Sequence, residues 1–192
     1  MLFDLLRGYK PPTNSGQPAD AAGAGKPPKR VNGVIGPSLA LAAQLVASKV
    51  APRVIYVSGL GDFDTHQGEA QRHPALMADL DAGIETFFSR LEAVGASDRA
   101  LLMTVSEFGR RPKENGSGTD HGTAAPHFIV GTKVKGGRYG ERPSLTKLDQ
   151  SGNLVHTADF RSLYATALSG WLGVDPEPVL GKSWERFPVF TS

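Results

Sequence analysis

Residues 74–94 constrain the fold of this chain more than any other stretch. Leu76, Leu80, Ile84, Phe87, Leu91 and Val94 recur at the spacing that gathers side chains on one face of an α-helix. Gly95 follows at the position where helices favour a left-handed terminating residue. A helix with one apolar stripe needs a surface to bury it against, and its flanks supply candidates. Arg53-Val54-Ile55-Tyr56-Val57-Ser58 precedes it, and Leu101-Leu102-Met103-Thr104-Val105 lies in the run 100–105 after it. Both are short apolar runs bounded by polar residues, the pattern of buried strands. Strand, helix and strand in that order predict a parallel pair joined by a right-handed crossover. The expected fold class is therefore α/β, with a mainly parallel sheet flanked by helices. His127-Phe128-Ile129-Val130-Gly131 reads as a third strand. Two further helices are expected. One covers 37–50, with Leu39, Ala42, Ala43, Val46 and Val50 inward and Pro37 in its first turn. The other covers 159–172, with Phe160, Leu163, Tyr164, Ala167, Leu168 and Trp171 inward and Gly173 as its stop.

At 192 residues the chain is long enough for one substantial core. Residues 11–30 are rich in Pro, Gly, Ala and Lys, so 1–30 is read as an N-terminal segment and flexible linker and 31–192 as the folded domain. With 21 Lys and Arg against 19 Asp and Glu, the net charge of +2 gives no basic stripe for nucleic acid. No apolar run approaches the roughly 20 residues that a membrane span requires. The opening Met1-Leu2-Phe3-Asp4-Leu5-Leu6-Arg7 lacks the apolar core of a signal peptide. The absence of cysteine excludes disulfides, thiol catalysis and Cys-ligated zinc.

Two acid-plus-imidazole clusters follow the predicted strands. Asp62-Phe63-Asp64-Thr65-His66 comes after 53–58. Ser106-Glu107-Phe108-Gly109-Arg110-Arg111, then Gly118-Thr119-Asp120-His121-Gly122, come after 100–105. In open α/β sheets, ligands bind beyond the carboxyl ends of the strands. Carboxylate oxygen and imidazole nitrogen together suit a divalent cation. Asp64 with His66 can meet one ion from a loop, and Asp62 with His66 can do so from a helical turn; both remain open, as does a plain turn-capping role. Asp120 can ligate, or orient an imidazole from behind the ligands. Glu107 is a ligand or general base at the strand end, or the partner of Arg110 or Arg111 in an ion pair. Arg110 can hold an anionic substrate. His73 and His156 read as surface residues and His127 as a core histidine. Neither a Gly-x-Ser-x-Gly elbow nor a phosphate-binding Gly-Lys loop is present. Asn115-Gly116-Ser117 matches a glycosylation sequon by chance.

Gly61-Asp62-Phe63-Asp64-Thr65-His66-Gln67, Ser106-Glu107-Phe108-Gly109-Arg110, Gly118-Thr119-Asp120-His121-Gly122, Val134-Lys135-Gly136-Gly137, Thr157-Ala158-Asp159-Phe160-Arg161 and Trp171-Leu172-Gly173 resemble the bacterial domain-of-unknown-function family 1501. The resemblance spans roughly residues 31–190. It implies an alkaline phosphatase-like fold, shared with sulfatases and phosphomutases, and an exported, periplasmic protein. It implies that Asp64 or Asp62, His66 and His121 ligate one divalent ion, zinc by the donor set, the number of ions being open. Glu107 falls where the strand-end Asp of a second metal would stand, and Phe108 where its partner His would stand, which leaves the second site altered or lost. The superfamily's nucleophile and first metal-binding Asp would lie upstream, where Ser15 and Ser38 do not supply them. The expected chain is thus the C-terminal half of the fold, with its missing N-terminal half as a possible partner.

Two functions are compatible with this pattern. One is a metal-dependent hydrolase-like domain acting on small anionic phosphate or sulfate esters, incomplete on its own. The other is a non-catalytic, metal-structured binding or scaffold module.

Overall fold

The computed structural model describes residues 34–191. The N-terminal segment and linker expected over 1–30, with Ser15 and the reading of the first residues, lie outside the described residues. The chain divides into two compact units, Met1–Arg99 and Ala100–Ser192. Its secondary structure is mixed, with helices and small antiparallel sheets. None of the described helices is long and apolar enough to cross a membrane.

In the first unit, helix α1 (Ile35–Ala47) packs against helix α2 (Glu69–Glu92). The predicted stripe of α2 is the one that packs: Leu76, Ile84, Phe87 and Leu91 are buried, joined by Ala75 and Phe88. Val94 falls past the helix and is exposed. The helix begins at Glu69, five residues before the expected start, so Pro74 lies inside it. Proline offers no N–H to the carbonyl four residues back, so the bond to Ala70 O is missing in the second turn. Gly83 marks where the helices come closest. A Cβ there would lie 2.7 Å from Ile35 Cγ2 and 3.2 Å from Leu39 Cδ1. From α1, Ile35, Leu39, Ala42 and Ala43 are buried, whereas Val50 lies beyond the helix and is exposed.

The strand expected at 53–58 is not formed. Val54 is 70% and Tyr56 79% exposed, and these residues belong to no sheet. β-branched composition makes a segment fit a pleated surface, but a strand exists only where another backbone takes its hydrogen bonds.

The second unit contains strands β1 (Leu102–Met103), β2 (Gly109–Glu114), β3 (Thr119–Gly122) and β4 (Ile129–Val130), then helices α3 (Phe160–Gly170) and α4 (Glu177–Leu180). The expected strand at 100–105 shrinks to two residues, and the third predicted strand is β4. The two pair antiparallel, Leu102 with Val130 and Met103 with Ile129. The expected parallel sheet with its crossover is therefore replaced by antiparallel pairs. Strands β2 and β3 form a hairpin where a glycine loop was expected. Gly109 pairs with Gly122, Arg110 with His121 and Glu114 with Thr119, with one irregularity between them.

Helix α3 starts at an Asp159 cap whose carboxylate accepts the Arg161 N–H at 2.9 Å. The Arg161 guanidinium also donates to both oxygens of Asp159, which holds this carboxyl down at about 2. Its buried residues are Ser162, Ala165 and Thr166, whereas Phe160, expected inward, is exposed. The reason is the C-terminal tail. Thr166 Oγ1 accepts the Phe187 N–H at 2.9 Å, and a Cβ at Gly170 would meet Phe190 Cδ2 at 2.4 Å. Lys135 N donates to Val189 O and Thr191 N to Lys133 O, so the tail is tied to 133–135 as well.

His127, read as a core histidine, is only half-buried. Burial lowers its pKa below the ordinary 6.5, against a weaker opposite effect from its hydrogen bond with the Thr104 backbone. A depressed pKa in the folded state gives stability that is complete above the unfolded value. That stability is lost as pH falls through the folded pKa. Denaturant titrations should thus give a steeper loss of stability below about pH 6.5 for the native chain than for His127→Gln. Equal slopes would remove His127 as the cause.

Candidate functional site

In the first unit, the loop after 53–60 turns tightly before α2. Thr65 N donates to Phe63 O at 2.9 Å and His66 N to Asp64 O at 3.0 Å. These turns point Asp64 and His66 to the same side, with His66 Nε2 3.1 Å from Asp64 Oδ1. Both side chains are about half exposed, at 47% and 42%. Thr65 between them is fully buried. It anchors the loop while its two neighbours face outward.

Asp62 goes elsewhere. Its carboxylate pairs with Arg72 Nη2, and Arg72 Nη1 donates to Gln67 O at 3.1 Å. In this unit, therefore, Asp64 meets His66, and Asp62 closes the turn into α2. Composition around Asp62 gave no hint of this, because its partner is ten residues away on the first turns of a helix.

Thr65 Oγ1 is buried and has no hydrogen-bond partner among the described residues. A buried hydroxyl without a partner costs about 1–3 kcal/mol. Thr65→Val keeps the shape and removes the hydroxyl, so thermal unfolding should show a gain of about 1 kcal/mol. A loss of stability would mean that the hydroxyl has a partner of its own.

In the second unit, the hairpin places the other predicted residues. Cross-strand pairing puts Arg110 opposite His121. The His121 imidazole lies flat on the Phe108 ring, with centroids 4.0 Å apart and planes 8° from parallel. Arg110 sits over the same ring, its Cζ 5.1 Å from the centroid, and its Nη1 donates to Thr119 O at 2.6 Å. Phe108 is thus a platform that orients an imidazole and a guanidinium together, a role the sequence did not disclose. Successive residues of a strand face opposite ways, so Asp120 points away from His121. Its carboxylate accepts the Asn115 Nδ2–H at 2.9 Å. Asp120 is therefore held by Asn115 on the other face of the hairpin from the His121 ring.

Glu107 is exposed at the approach to β2. Ser106, which precedes it, is not in a strand, and its Oγ donates to Phe108 O at 2.7 Å. Arg111 donates through Nε to Asn153 Oδ1 at 3.0 Å. Asn153 is in turn fixed by Asp149, whose carboxylate accepts from the Asn153 backbone and side chain and lies below the usual carboxylate range for that reason. Beside this network is a cleft of about 460 Å³ lined by Arg111, Lys113, Asn115, Asp120 and Ser151 among others.

Two glycines of the hairpin, Gly109 and Gly122, have a structural explanation. A Cβ on Gly109 would lie 2.1 Å from Ala124 O, and one on Gly122 would lie 2.7 Å from the carbonyl carbon of Arg110. Their backbones closely approach neighbouring chain segments. Sequence reasoning missed Arg72, Phe108 and Asn115. Of these only Phe108 carried a signal, as an aromatic residue at an expected imidazole position.

As donors, the Asp64 oxygen and the His66 nitrogen fit a divalent cation. Two ligands at about 2.0–2.1 Å from a tetrahedral zinc stand about 3.3 Å apart, close to the separation seen here. The family model described as "Protein of unknown function (DUF1501)" matches residues 13–186. No curated protein and no solved structure matches the chain.

Proposed function

The chain belongs to the family of proteins of unknown function DUF1501, and on that premise we propose that it is a metal-dependent hydrolase-like domain of the alkaline phosphatase and sulfatase superfamily. Its substrates are small phosphate or sulfate esters. Asp64 and His66 hold a divalent cation, zinc by their donor chemistry, with His121 as the third ligand on the family pattern. The protein is exported on the same pattern. The observation that carries this reading is the Asp64–His66 pair, an oxygen and a nitrogen 3.1 Å apart and half exposed on a loop anchored by buried Thr65.

A bound cation would supply Lewis-acid stabilisation of the charge that develops on the ester. The remaining work falls to side chains. Arg110, oriented by Thr119 O and the Phe108 ring, offers a cation to the anionic ester. Glu107, exposed just before β2, is the carboxylate available to accept a proton. The His121 imidazole is held flat by Phe108, which limits its rotation.

A second reading is favoured by the residues that are occupied otherwise. Ser106 donates to Phe108 O and Thr123 to Leu154 O, so neither hydroxyl is set up as a nucleophile. A non-catalytic, metal-structured module would need no nucleophile. The two readings share the cation and differ in turnover. Zinc content after dialysis, measured on the native chain, Asp64→Asn and Asp62→Asn, tests the shared part. Zinc should be retained by the native chain and by Asp62→Asn and lost by Asp64→Asn. Hydrolysis of aryl phosphate and aryl sulfate by the same samples should be negligible, and turnover that disappears with Asp64→Asn would establish catalysis by this chain.

A further inference from the structure

The turn of the β2–β3 hairpin holds Asn115 followed by Gly116. Asn115 N donates to Gly118 O at 2.9 Å, leaving Gly116 and Ser117 as a two-residue turn. Three features converge on the side-chain amide of Asn115. Gly116 puts no side chain beside its own nitrogen, its φ is +120°, and nothing lies within 4 Å of where a Cβ would stand. Gly118 N–H donates to Asn115 Oδ1 at 3.1 Å. A backbone N–H so placed polarises the carbonyl and stabilises negative charge growing on its oxygen, as oxyanion-hole donors do. Asn115 Nδ2 donates to Asp120 Oδ1 at 2.9 Å, which draws the amide nitrogen toward β3.

We propose that Asn115 is a self-modification site: the hairpin deamidates it, and the carboxylate that results displaces Asp120 from its partner. Solvent base removes the Gly116 N–H proton, and the nitrogen attacks Asn115 Cγ. The Cγ–Nδ2 bond breaks, and nitrogen leaves as ammonia after taking a proton from water. The N–Cγ bond remains as a five-membered succinimide. One water then opens that ring at either carbonyl, giving aspartate or isoaspartate at 115. The net change is one water consumed and one ammonia released, with nothing oxidised or reduced.

The consequence follows from the hydrogen bonds. The acceptor for Gly118 N–H survives in the product, but the donor to Asp120 becomes a second carboxylate. Two negative charges at hydrogen-bond distance repel, so the Asp120 carboxylate turns away from position 115. The isoaspartyl form also adds a methylene to the backbone beside the Glu114–Thr119 pair, which disturbs the hairpin register. The cleft that Asp120 and Asn115 line with Arg111 and Lys113 gains a negative charge. The reaction stands on the turn alone and is separate from the assignment of Asp64 and His66.

The test is peptide mass mapping of the full chain after incubation at mildly alkaline pH, with fragmentation that separates aspartyl from isoaspartyl. The native fold should accumulate both products at position 115 within the time that converts half of the chains held in denaturant. Asn115 remaining an amide in the folded chain over that period would overturn the proposal. Asn115→Gln, whose longer side chain closes a larger ring, should give no measurable product while keeping the native circular dichroism spectrum. Asn115→Asp supplies the product directly. Side-chain nuclear Overhauser contacts between residues 115 and 120 should be weaker in it than in the native chain, and unchanged contacts would overturn the claimed displacement. The other Asn-Gly in the chain, Asn32-Gly33, yields a separate peptide, so conversion there is not mistaken for conversion at 115.

Discussion

Alanine at Gly109 is expected to destabilise the second unit by about 3 kcal/mol, at the upper end of what overpacking costs. The added Cβ would lie 2.1 Å from Ala124 O, 2.4 Å from Ala124 C and 2.6 Å from Ala124 N. These are backbone atoms, so no rotamer change relieves the clash. Either β2 moves away from 122–124 or the hairpin base opens. In both cases the Gly109–Gly122 pair goes first, and with it the registration that sets Arg110 opposite His121. The stacking of His121 on Phe108 should therefore be lost with the stability. Urea unfolding gives the energy, and the ring-current shift of the His121 imidazole protons reports the stack. Gly36→Ala is the contrasting case. Nothing lies within 4 Å of a Cβ there, and the residue sits in the first turn of α1. Alanine's better helix propensity should stabilise that variant by up to about 1 kcal/mol. If Gly109→Ala behaved like Gly36→Ala, the close approach at the hairpin base would be refuted.

Removing the imidazole of His66 is expected to weaken divalent-metal binding by at least about 100-fold, more than the loss of a residue that only orients a ligand. On the proposed assignment His66 supplies a ligating nitrogen beside the Asp64 oxygen, and its loss leaves the ligand set incomplete. Asp62→Ala should stay near the native affinity, because its carboxylate is committed to Arg72. The His66 side chain is 42% exposed, so its truncation leaves the packing of α1 on α2 intact. Zinc titration by calorimetry, with thermal unfolding as the control for folding, separates these variants. Equal losses for His66→Ala and Asp62→Ala would sink the assignment. Unchanged binding in both would move the metal away from this loop.

The helices were legible because their information is local. The stripe Leu76, Ile84, Phe87 and Leu91 is a period of one element, and it packs as its spacing requires. The Asp159 cap of α3 is likewise set within a few residues, whereas the helix ends at Gly170, before the expected stop at Gly173. Membership of DUF1501 was legible from the motifs at 61–67, 106–110 and 118–122, because those strings carry the family's pattern in the order of the chain.

What the tertiary structure decided were the pairings. Whether 53–58 becomes a strand depends on a second backbone, which β-propensity cannot supply, and the segment stays out of any sheet. Gly122, beside His121, is a signal of close approach whose partner only the fold can name, and that partner is the hairpin backbone at Arg110. Asp62 and Asp64 are equivalent in sequence until Arg72, ten residues on, claims one of them. Asp120 and His121 are neighbours in the chain, yet the pleat sends one toward Asn115 and the other onto Phe108. Periodicity within an element is fixed by the chain's own geometry. Partnership between elements is fixed by which surfaces the whole molecule brings together.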